Sequence, residues 1–152
     1  MTTARDIMTP DAQCVSESDD LVTAARRMAE LDIGSLPICG EDNRLKGMIT
    51  DRDIAVHAIA RGLDPRRTRV ESCMSDETIA CHVNDSLRSC MRQMSRHQIR
   101  RLPIVNDRDQ VLGILSQADL ARHADDYQGQ GGRRAFADTV AAVSKPSRSS
   151  YR

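Results

Sequence analysis

The chain has 152 residues, enough for one modest domain or two small ones that bury a core together. Lys plus Arg balances Asp plus Glu at 22 each, so no overall field draws the chain to nucleic acid or to a membrane surface. Its few aromatics, Tyr127, Phe136 and Tyr151, all lie late in the chain, which argues against a stacking platform for single strands and leaves aliphatic residues to fill the core.

In chain order, Thr3 with Asp6 three residues on predicts a capped short helix to Met8, stopped by Pro10. Residues 12–16 read as a short strand. Ser18, Asp19 and Asp20 place a cap and negative charge at a helix start, with Leu21, Ala25, Met28 and Ala29 forming its apolar stripe and Gly34 its end. Leu36 to Cys39 reads as a buried strand, residues 41–44 as a hairpin turn, and Leu45 to Ile49 as the return strand. Thr50 caps a helix expected to reach Arg61, with Gly62 as its stop. Residues 63–67 form a polar linker, and Thr68-x-x-Glu71 opens another short helix.

The same order then recurs. Asn84 lies near a cap, and Leu87, Met91 and Met94 form a stripe. Leu102 to Val105 and Val111 to Leu115 are strands about a turn at 106–110, and Ser116 starts the last helix. Residues 133–143 can form one helical stretch, and the tail from 144 is expected to be disordered. The recurrence keeps strict register: residues 8–58 shifted by 66 positions fall on 74–124 without a gap, with 14 of 51 positions identical. Chance at average residue usage gives roughly 3. The organisation read from this is one unit over 1–62, a linker at 63–67, a second unit over 68–127 and a tail over 128–152.

Both return strands end alike, in Gly47-Met48-Ile49-Thr50-Asp51-Arg52-Asp53 and Gly113-Ile114-Leu115-Ser116-Gln117-Ala118-Asp119. A hydroxyl followed three residues later by a carboxylate is a capping box and needs no ligand. It is also a workable nucleotide corner. The carboxylate can accept both hydroxyls of a ribose, while the Thr or Ser hydroxyl joins unpaired helix N–H groups around a phosphate. A Gly inside a strand further points to close approach by backbone or ligand.

The doubled β-α-β-β-α unit, with Leu36-Pro37-Ile38 and Leu102-Pro103-Ile104 and a twofold G-h-h-[ST]-x-x-D motif (h apolar), resembles a tandem pair of CBS domains, a Bateman module, over residues 3–125. The resemblance implies an α/β (α+β) fold in which two units pack about a pseudo-twofold axis, with a cleft between them for adenosyl ligands: AMP, ADP, ATP or S-adenosylmethionine. Carried onto this sequence, it implies Asp53 and Asp119 for ribose and Thr50 and Ser116 for phosphate. Residues 12–14 and 78–80, including Cys14, Ile79 and Ala80, would border the bases. Arg52 and Arg101 are expected either to serve one phosphate from opposite sides or to be solvated. Gln13 and Cys14 depart from the usual apolar first strand, so base binding is expected to be poorer at the first site. A homodimer and a protein partner regulated in trans are also implied.

Other constellations carry less. Cys14 and Cys39 lie on strands that a β-α-β crossover sets side by side, so they can bridge; in a reducing cytoplasm they would remain thiols. Cys73, Cys81 and Cys90 read as small buried hydrophobes. His57 and His123 match under the repeat but lack neighbours at zinc-ligand spacing, so no metal site is assigned. No catalytic arrangement and no resident cofactor is expected. Neither a signal peptide nor a membrane span is recognisable, so a cytoplasmic location is expected. The function expected is a regulatory sensor; the alternative is a structural or redox-responsive dimer without nucleotide binding.

Overall fold

Two apolar clusters, one for each repeat, organise the computed structural model, which describes residues 2–74, 78–123 and 130–145. The first unit comprises Asp11–Thr78 with Val105–Val111. Strand β2 (Val15–Ser16) runs parallel to β3 (Ser35–Cys39), which pairs antiparallel with β4 (Leu45–Thr50). Helix α2 (Leu21–Leu31) is the crossover, and α3 (Asp51–His57) follows the last strand.

Helix α2 starts where Asp20 accepts the Thr23 N–H at 2.7 Å. Its buried face is Leu21, Ala24 and Met28. The expected Ala25 and Ala29 are exposed, because the buried face is centred between Ala24 and Met28 and turns both of them towards its far side. The helix ends at Asp32 in the left-handed region (φ 53°), not at Gly34. Gly34 instead makes room for α3. An added Cβ would lie 2.9 Å from the Asp51 carboxylate, and the Gly34 carbonyl accepts the Asp51 N–H at 2.9 Å.

The second unit comprises Met1–Pro10, Ile79–Ile104 and the chain from Leu112 onward. Its sheet runs β1-β7-β6-β5, from β1 (Thr9–Pro10), β5 (Cys81–His82), β6 (Arg101–Val105) and β7 (Val111–Ser116). Helix α4 (Leu87–His97) buries Leu87, Cys90, Met91 and Met94 and is capped by Ser86, two residues after Asn84. Gln98 ends it in the left-handed region (φ 53°), the repeat counterpart of Asp32. Helix α5 (Gln117–Arg122) follows β7.

The compact units interleave the sequence halves. Helix α1 (Ala4–Ile7) and β1 open the first half of the sequence yet pack on the second repeat, where Leu87 N–H donates to the Thr2 carbonyl at 3.2 Å. In the first unit the equivalent bond runs from Leu21 N–H to the Thr68 carbonyl at 3.0 Å. Each apolar sheet therefore takes its flanking segment from 66 residues away in register. Gly113 permits this: a Cβ there would meet the Thr9 carbonyl oxygen at 2.6 Å and Met8 Sδ at 2.7 Å.

Several expected elements are shorter. The strand at 12–16 is hydrogen-bonded only at Val15–Ser16. The helix from Thr50 stops at His57, followed by a 3-10 turn at Ile59–Arg61 that Gly62 closes at φ 73°. The helix opened by Thr68 is a 3-10 turn at Val70–Ser72. Helix α6 (Gln130–Val143) packs along α4 and brings Phe136 against the second core, so that core is not purely aliphatic. Tyr127, Tyr151 and the tail from 146 lie outside the described residues. No helix among those described is long and apolar enough to cross a membrane.

Candidate functional site

Both duplicated corners form, and both are capping boxes. At the first, Thr50 N–H donates to Asp53 Oδ2 at 2.9 Å and Asp53 N–H donates to Thr50 Oγ1 at 3.0 Å. At the second, Ser116 N–H donates to Asp119 Oδ2 at 2.8 Å and Asp119 N–H donates to Ser116 Oγ at 3.1 Å. Local sequence dictates this geometry, since the box satisfies two N–H groups that a helix start leaves without partners. The helices are short, seven and six residues, so their dipoles add little.

Beyond the box the corners differ. Asp53 Oδ1 has no hydrogen-bond donor among the described residues, and His57 Nε2 lies 3.9 Å from it on the next helical turn. A quarter of the Asp53 side chain is exposed (25%). The Thr50 hydroxyl accepts from Asp53, leaving its own proton available to an incoming acceptor. Asp119 is buried, with only 5% of its side chain exposed. Its Oδ2 also accepts the Ser116 hydroxyl at 2.7 Å, and its Oδ1 accepts Thr9 Oγ1 at 3.3 Å and an ion-paired hydrogen bond from Arg122 Nη2.

The remaining candidates divide between the units. Cys14, Thr50, Arg52 and Asp53 belong to the first; Ile79, Ala80, Arg101, Ser116 and Asp119 belong to the second. Arg52 and Arg101 are both exposed. Ile79 packs against the second core, and Ala80 is half-buried. Gln13 Oε1 accepts a hydrogen bond from Arg27 Nη1 at 2.6 Å.

Cys14 and Cys39 form a disulfide, with Cα atoms 5.7 Å apart. It ties the residue before β2 to the end of β3, beside the parallel pair Ser16 and Cys39. Cys39 is buried and Cys14 half-buried. The other three cysteines are buried thiols. Burial, then the nearby Asp53 charge, pushes the Cys73 thiol up; a hydrogen bond with Cys90, then burial, pushes Cys81 up strongly. Iodoacetamide at pH 8 is therefore expected to leave Cys73, Cys81 and Cys90 unmodified in the native protein and to label all three in denaturant. Peptide mass spectrometry checks this, and rapid native labelling would contradict the burial.

Sequence reasoning missed Thr9 and Arg122. Arg122 carries a readable signal, because its repeat counterpart is the apolar Val56. Thr9 reaches Asp119 from 110 residues away, through the pairing of Thr9 with Ile114.

Comparison with known proteins decides the family, since the CBS domain model matches residues 4–59 and again 70–126. The chain belongs to the CBS-domain family. Its fold is a mixed α+β arrangement of two CBS units. It is 43% identical over 127 residues to Hypoxic response protein 1 of Mycobacterium tuberculosis, covering 84% of this chain and 88% of that protein. The crystal structure of Hypoxic Response Protein I with two coordinated zinc ions superposes with a TM-score of 0.75, over 80% of this chain and 98% of that one. The CBS domain pair of protein MJ0100, in complex with 5'-methylthioadenosine and S-adenosyl-L-methionine, is 28% identical with a TM-score of 0.72, over 80% and 94% of the two chains. The likeness thus extends through both CBS units.

Proposed function

We propose that this chain is a stand-alone regulatory CBS pair that binds an adenosyl ligand (AMP, ADP, ATP or S-adenosylmethionine) and passes its occupancy to a protein partner, working as a homodimer in the cytoplasm. The observation that carries the reading is Asp53. It is a fixed carboxylate at a strand-to-helix corner, with one oxygen lacking a donor among the described residues and a hydroxyl beside it still able to donate. That is the chemistry a ribose and its phosphate require. The adenosyl compounds held by the MJ0100 pair support the same ligand class.

The site's work is binding and not catalysis. Asp53 accepts sugar hydroxyls, Thr50 donates to a phosphate oxygen, and Arg52 adds positive charge beside them. Regulation follows only if the ligand binds one conformation more tightly than another, because equal affinity shifts no population. In a thermal-shift panel of the four ligands, one at a hundred times its Kd is expected to stabilise by about 2.7 kcal/mol, raising the melting temperature by roughly 5–10 °C. A panel in which no ligand moves the transition overturns the reading.

The Cys14–Cys39 disulfide favours a second reading, a redox-responsive dimer that has lost nucleotide binding. Repeating the panel with reductant separates the two: the second requires a transition that responds to reductant and ignores every ligand. Among the described residues no group of three or more His, Cys, Asp or Glu side chains can hold a metal ion. Asp53 and His57 supply at most two donors, short of a tetrahedral set.

A further inference from the structure

We infer that the second corner is latched shut by the chain's own Arg122, so the two repeats are unequal and the wild-type protein takes up ligand at the Asp53 corner alone. The inference rests on the adenosyl reading above and assigns a regulatory residue to it.

A carboxylate offers about four lone-pair positions to donors. At Asp119 four donors hold them: the Ser116 N–H, the Ser116 hydroxyl, the Thr9 hydroxyl and the Arg122 guanidinium. A ribose diol brings two more donors and finds no position open. Among the described residues the Asp53 carboxylate receives one hydrogen bond, from Thr50 N–H. The contrast extends to the neighbouring hydroxyls, since Ser116 donates its proton to Asp119 whereas Thr50 has no acceptor for its own among the described residues.

Arg122 is the replaceable part of the latch. The Ser116 contacts belong to the capping box that both repeats share, and Thr9 is held by strand pairing. Arg122 instead lies at the end of α5 with 64% of its side chain exposed, and the first repeat carries Val56 at the matching position. A branched aliphatic side chain is thus already accepted at this place in the unit, and it cannot reach a carboxylate as a donor. Removing the guanidinium also removes the positive charge that an approaching sugar must displace from Asp119.

The test is titration calorimetry of the full chain with AMP, ADP, ATP and S-adenosylmethionine in turn, with circular dichroism as the folding control. The wild type is expected to bind one ligand per chain, with affinity reduced tenfold or more by Asp53→Ala. Arg122→Val is expected to bind two, the second lost again in the Arg122→Val, Asp119→Ala double variant. Arg122→Gln, which keeps a polar side chain without the charge, is expected to behave like Arg122→Val, and Arg122→Lys like the wild type. A wild type that binds two per chain, or charge-removing variants that gain no site, overturns the latch. If the wild type binds nothing while Arg122→Val gains one Asp119-dependent site, the latch stands and the reading of the Asp53 corner falls.

Discussion

Asp53→Ala is expected to weaken adenosyl-ligand binding by tenfold or more, the larger part of it through lost hydrogen bonds to the sugar. A hydrogen bond to a charged acceptor contributes roughly 1.5–3 kcal/mol, and each 1.4 kcal/mol is tenfold in affinity. The open Oδ1 makes at least one such bond available without breaking the box that holds Thr50. The substitution also removes a capping partner, so part of any loss of affinity can come from a frayed α3. Asp53→Asn separates these effects, because an amide retains an acceptor oxygen for the Thr50 N–H but lacks the charge. Calorimetry should rank wild type above Asp53→Asn above Asp53→Ala. Equal affinity in wild type and Asp53→Ala would remove Asp53 from the site.

Exchanging both bridged cysteines for their repeat counterparts, Cys14→Ala with Cys39→Val, is expected to lower stability by about 3 kcal/mol, a fall of roughly 6–12 °C in melting temperature. The cross-link joins residues 25 positions apart in the unfolded chain, and removing it restores that chain's freedom. Packing should change little, since Ala80 and Val105 occupy the matching positions of the second repeat and Val105 is buried as Cys39 is. Calorimetric melts with and without reductant check the cause. Reductant should lower the wild-type transition to that of the double variant and leave the double variant unmoved. A wild type indifferent to reductant would show that the bond does not hold β2 to β3 in solution.

Features written in neighbouring residues were legible before any coordinates. The capping boxes at Thr50 and Ser116, the cap at Asp20 and the buried Leu-Pro-Ile strands follow from hydrogen bonds and periodicities that span four residues or fewer. Those signals recur twice and reinforce each other, which is why the doubled fold could be read. Helix ends were harder. Asp32 and Gln98 take the left-handed conformation where a glycine is usual, because each chain must turn at once into a buried strand.

Which of the two acids is open depends on contacts made through space. Asp53 and Asp119 sit in nearly the same local sequence and make the same box. They differ because β1, from the start of the first repeat, pairs with β7 of the second and carries Thr9 to Asp119. Arg122 then closes on the same oxygen. The competition for a carboxylate's lone pairs is won by whichever donors the folded chain delivers, and strand pairing across more than a hundred residues leaves no mark on the motif itself.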